Sequence, residues 1–162
     1  MSPTGHTQRE NLNRTGVALP ARPVIYEINT WLWLRELSRQ HGRPVTLADV
    51  PENAWDALAD LRFDVVWLMG VWERSPEGIT ATLNDPTRRQ RFDEALPGWT
   101  ADDVIGSPYS VRCYVVDPDL GGDAGLAAAR AELAQRGIGL MLDFAPNPVS
   151  YTHLTLPTNR EV

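Results

Sequence analysis

Aromatic and amide side chains gather at three places in this chain, each just beyond an apolar run. Asn29, Trp31 and Trp33 follow Val24-Ile25-Tyr26-Glu27-Ile28. Trp72, Glu73 and Arg74 follow Val65-Val66-Trp67-Leu68-Met69, with Gly106-Ser107-Pro108-Tyr109 further on, and Asn147 follows Leu140-Met141-Leu142-Asp143-Phe144. Six Trp in 162 residues is a high count. Flat rings beside amide and charged groups suit a sugar, which offers an apolar C–H face and a rim of hydroxyls. The same rings can fill a core. Trp67, inside an apolar run, reads as core, whereas position alone leaves Tyr109 open between packing and ligand contact. Asp117, Asp119 and Asp123 have the spacing of a cation loop, but no Gly/Glu ligand pattern completes one, so they read as solvated turn residues.

The elements that must position these groups alternate in type. The runs at 24–28, 65–69 and 140–144 are short, apolar and β-branched, as expected of strands. Runs apolar on both faces suit parallel strands covered by helices. Between the first two, Pro51 to Leu61 predicts a helix with Ala54, Leu58 and Leu61 on one face. Glu73 to Ser107 is a long polar excursion, with a surface helix predicted over Thr87 to Leu96 and Arg88-Arg89-Gln90-Arg91 on its solvated face. Leu126 to Arg136 is Ala-rich and stops at Gly137, where a helix end favours glycine. Strand, helix, strand, helix, strand is the grammar of a parallel α/β sheet, either doubly wound or closed into a barrel. No Gly-x-Gly-x-x-Gly follows the first strand and no Walker-type loop is present, which disfavours a nucleotide fold.

Composition narrows the function classes. Hydrophobic residues make up 43% and charged residues 22%, the balance of a soluble globular protein. The net charge of −6, with Arg as the sole basic type besides His, gives no electrostatic footing for nucleic acid. Cys113 is the single cysteine, so no internal disulfide forms and a reducing compartment is expected. No apolar run approaches a membrane span, and the first residues lack a signal-peptide pattern, so the expected location is the cytoplasm. Asn13-Arg14-Thr15 matches a glycosylation sequon that an unexported chain would not use.

Four segments in order carry a resemblance: Val24–Ile28, Leu61–Met69 (resembling LGFDAVWLMP), Gly106–Val111 with Tyr114–Gly122 (GSPYDV..Y..VDP.FGT), and Asp143–Asn147 (DxVxNH up to its last residue). From about Pro23 to Asn147 the chain resembles the α-amylase family of retaining glycoside hydrolases. The resemblance implies a (β/α)8 barrel, of which this chain supplies the first three strands and their helices. It implies that Tyr109 stacks on the sugar beside the scissile bond; Trp72, from its place just past the second strand, is also expected at the substrate. It implies that Asp143 organises the site through hydrogen bonds. Asn147 would support the same loop and, in calcium-dependent members, ligate the ion. One amide does not supply the roughly 6–8 oxygens calcium takes, so calcium is implied only for a longer parent. The implied substrate is an α-glucan or small α-glucoside. Glu27, Asp64 and Glu73 match no catalytic position of the family.

The pattern breaks at Pro148, where the family has a sugar-binding histidine. Val149 onward carries no logic for this fold and looks like a translated transposase adapter from sequencing-library preparation. On that reading residues 1–21 are a flexible leader, 22–148 the N-terminal part of a catalytic barrel and 149–162 a non-native tail. The genome then supplies only the first base of codon 148, which histidine codons share, and His153 has no catalytic meaning. The family's nucleophile and acid/base, whose carboxyls stand about 5–5.5 Å apart across the sugar, would follow later strands. The chain alone is expected to be inactive, and its open sheet edges to make it prone to aggregate. The alternatives are a non-catalytic carbohydrate-binding remnant, a fragment of a same-fold transglycosylase or trehalose synthase, and an unrelated βαβ protein.

Overall fold

A computed structural model describes residues 17–145. Most of the leader, the sequon, Asn147, Pro148 and the tail at 149–162 lie outside the described residues. Three parallel strands form the central sheet: β1 (Ile25–Asn29), β2 (Val65–Met69) and β5 (Gly139–Leu142), in the order β1-β2-β5. Ile25 pairs with Val65 and Val65 with Gly139, and the register runs on without slip to Leu68 opposite Leu142. A second, antiparallel pair joins β3 (Trp72–Arg74) to β4 (Val111–Val116), with register shifts on both sides of Glu73.

Among the described residues five α-helices accompany the strands. α1 (Thr30–His41) starts directly from β1: Asn29 caps it by accepting the Leu32 N–H at 3.3 Å. α2 (Glu52–Asp60) begins one residue after Pro51. The excursion holds two helices, α3 (Pro76–Leu83) and α4 (Pro86–Ala95). Each has proline in its first turn and a capping side chain before it, Ser75 and Asp85 respectively. α5 (Gly122–Gln135) starts a turn earlier than its alanines suggest. It ends in a Schellman motif at Gly137, where the Gly137 N–H reaches Ala134 O at 3.0 Å and the Ile138 N–H reaches Leu133 O at 2.9 Å.

Alternation along the strands divides the sheet into two unlike faces. Ile28, Val66 and Leu68 join the core, with Leu140 and Leu142 packed against it. That face meets Leu34 and Leu37 of α1, Trp55 and Leu58 of α2, and Ala129 and Leu133 of α5. Val66 and Leu68 have no exposed surface, and truncating Leu68 to alanine would cost about 2–5 kcal/mol. Arg136 pins α5 to α2 through Asp56 at 2.7 Å. On the opposite face Val65 and Gly139 are buried, but Ile25, Glu27 and Met141 are exposed and Trp67 and Met69 half-buried. Among the described residues no helix layer covers that side.

Candidate functional site

Parallel strands bring their C-terminal ends to one edge. Asp143 follows β5 directly and keeps the alternation of Gly139 and Met141, so its carboxylate lies on the open face. Only 8% of it is exposed. One oxygen accepts the indole N–H of Trp67 at 2.7 Å and the other the backbone N–H of Gly70 at 2.5 Å. The Asp143 carbonyl accepts the Trp72 indole N–H at 2.9 Å. Strand β2 and the segment after β5 are thus laced together at the strand ends. Each carboxylate oxygen keeps a lone pair that a hydroxyl could use.

The β3–β4 pair holds the residues that follow. The Tyr114 hydroxyl donates to Ala145 O at 2.7 Å and accepts the Ala145 N–H at 3.0 Å. Its ring stacks on Phe144 at 5.7 Å and meets Trp72 edge-on at 5.4 Å. Trp72 therefore has its polar atom and one ring edge engaged within the protein.

Arg74 is buried to 7% exposure on the same short strand. It donates to Ile105 O at 3.2 Å, Gly106 O at 3.0 Å and, longer, Gly70 O at 3.4 Å, and lies 5.2 Å over the Trp31 ring. Burial pulls its pKa below the ordinary guanidinium value, against the opposing fields of Asp117 and Asp143. The Gly106–Tyr109 turn is drawn onto the end of β2 by these contacts. A Cβ at Gly70 would stand 2.9 Å from Pro108 Cβ, so the close approach needs glycine, as does the φ of +79°.

Tyr109 sits at the end of that turn, 52% exposed, its N–H on Ser107 Oγ at 3.3 Å. Asp143 and Trp72 are in contact, whereas Tyr109 follows Pro108, which seats against Gly70. Asn147 lies outside the described residues. Trp31 packs beneath Arg74, and Trp33 meets Trp55 edge-on at 5.2 Å; both pack against the core. Trp67, expected in the core, is instead half-buried on the open face outside the core cluster, and it supplies a hydrogen bond that its place in an apolar run did not signal. Tyr114, which completes the lacing, was visible only as a member of a longer motif, and Gly70 fell one residue beyond another.

The remaining acids serve local structure. Asp64 accepts the Val24 N–H at 2.7 Å, and Glu73 faces Cys113 at 3.2 Å and Arg112 at 3.7 Å. Asp117 accepts the Asp119 N–H at 3.0 Å and Asp123 the Val116 N–H at 3.4 Å. Burial pushes the Asp117 carboxyl above its ordinary pKa. Among the described residues no three His, Cys, Asp or Glu side chains group to hold a metal. No helix there is long and apolar enough to cross a membrane. No protein-family model, curated protein or solved structure matches the chain.

Proposed function

We propose that this chain is the N-terminal part of an α-amylase-type (β/α)8 barrel that hydrolyses α-glucosidic bonds of an α-glucan or small α-glucoside in the cytoplasm. The observation that carries the reading is Asp143. It is a buried carboxylate at the C-terminal end of the third parallel strand, held on the open sheet face by Gly70 and Trp67. That is the edge where barrels place their chemistry. The open face supports the same reading, because parallel sheets are ordinarily covered on both sides and further strands of a barrel would enclose Trp67, Met69 and Met141.

In this scheme Tyr109 stacks on the sugar ring and Asp143 orients its hydroxyls. Asn147 supports the loop beyond β5, and Trp72 holds Asp143 in place while bordering the substrate. The nucleophile and the acid/base come from later strands. Asn147, the implied calcium ligand, lies outside the described residues, and among those no three His, Cys, Asp or Glu side chains group to hold an ion.

The test is to read the source DNA through the Asn147 codon and assay the protein it encodes. The expected result is a histidine codon at position 148, downstream Asp and Glu motifs, and release of reducing sugar from maltooligosaccharides. A genomic stop after Val162, with no hydrolysis, overturns the proposal.

A further inference from the structure

Away from Asp143 and Tyr109, a cavity of about 310 Å³ opens between α1, residues 44–46 and the turn at 118–120. Its floor is apolar. Leu34, Val45 and Leu120 are buried there, with Trp31 and Ile105 beside them.

The walls are fixed by contacts of their own. The Leu47 N–H donates to Leu120 O at 2.9 Å, and a Cβ at Gly121 would lie 3.1 Å from Thr46 Oγ1. Opposite, Arg35 reaches Asp103 at 2.9 Å and ties α1 to the segment that carries Asp102 and Ile105.

Most polar groups of the wall are already engaged. The Ser38 hydroxyl donates to Leu34 O at 2.7 Å and accepts the Val45 N–H at 2.9 Å. The Thr46 hydroxyl donates to Asp49 at 2.8 Å, and Arg35 has Asp103. Asp102 and Asp119 are different. Both are exposed wall residues, and among the described residues neither carboxylate has an ion-pair partner.

We infer that this cavity binds an aliphatic diamine, its methylenes along the apolar floor and its ammonium groups on Asp102 and Asp119. The inference does not depend on the glycosidase reading. Chains that end in ammonium groups lay their methylenes along apolar surface while the charged head stays at a polar edge. An anion would meet two like charges. A neutral apolar ligand would take water from both carboxylates and return no hydrogen bond, and a sugar would find the wall hydroxyls already used.

An NMR titration of the full chain with cadaverine, pentylamine and pentanol, at about 0.15 M salt, tests this. Cadaverine should saturate and shift amides of residues 31–35, 44–46 and 119–120. Pentylamine should bind about threefold more weakly and pentanol about tenfold, as loss of one and two exposed ion pairs requires. Asp102→Asn and Asp119→Asn should each weaken cadaverine about threefold and together about tenfold, with pentanol unchanged. Asp60→Asn, on α2 and outside the cavity, should change nothing. Three results overturn the inference: no saturable shift at these residues, pentanol binding as tightly as cadaverine, or Asp60→Asn weakening cadaverine as much as the two cavity variants do. The second would make the cavity a purely apolar pocket, and the third would reduce the binding to the overall negative charge.

Discussion

Asp143 joins structure to proposed function in one side chain. It satisfies two N–H groups that would otherwise be buried without partners. Asp143→Ala should therefore lower stability by about 2–4 kcal/mol, read as a fall in the urea midpoint. Asp143→Asn should recover little, because its amide turns a donor toward a donor. An unchanged midpoint in both would mean the carboxylate does no structural work. Asp117 gives the opposite case. Burial raises its carboxyl above the ordinary 3.8, so its favourable contribution is complete below the unfolded value and is lost as pH rises through the folded one. Asp117→Asn keeps an oxygen for the Asp119 N–H and stays neutral. Its Tm should exceed that of the wild type by a few degrees at pH 7 and match it below about pH 4. At this scale Asp143 stood out only through the four-segment resemblance, since it reads as part of the third apolar run, and position alone left Tyr109 open between packing and ligand contact. Arg74 was harder, because charged residues ordinarily stay at the surface and nothing local announces that its partners are the carbonyls of Gly70, Ile105 and Gly106.

Among the elements, the three parallel strands and α5 were legible from apolar runs and an Ala-rich stretch with a terminal glycine. Helix α1 was not, because Trp31-Leu32-Trp33-Leu34 has the alternation and aromatic content of a strand. The Asn29 cap and the burial of Leu34 and Leu37 decide for the helix. Helix α3 did carry a readable start in Ser75-Pro76, a capping residue followed by proline. The β3–β4 pair left no local signal, since Glu73 and Cys113 meet at a separation of 40 positions. The tight seat of the Gly106–Tyr109 turn on β2 can be tested with two glycines of similar backbone. Gly70 has φ +79° and Gly98 φ +84°, but only Gly70 has a neighbour within 4 Å of a built Cβ. Both alanine variants should lose roughly 1–2 kcal/mol to the left-handed backbone. Gly70→Ala should lose more and displace Pro108, seen as altered amide shifts through 106–109. Equal losses would mean that the turn is not seated there.

For the whole molecule, the unlike faces of the central sheet set behaviour in solution. Ile25 and Met141 are exposed at 43% and 37% on the side without helices. That surface should bind a dye such as ANS and promote self-association. Replacing Ile25 and Met141 together by Thr should cut both, with a stability change within about 0.5 kcal/mol per site. A chain that is monomeric and dye-silent before substitution would show that the face is protected. The lacing around Asp143 also has a consequence for biosynthesis. Its hydrogen bonds to Gly70 and Trp67 span 73 and 76 residues. At a translation rate of roughly 5–20 residues per second, β2 would leave the ribosome roughly 4–15 s before the strand that completes it. In that interval β1 can already pair on one side, while the other edge of β2 and both donors wait uncommitted. Chaperone capture and co-translational proteolysis should therefore concentrate in the window between emergence of Gly70 and emergence of Asp143.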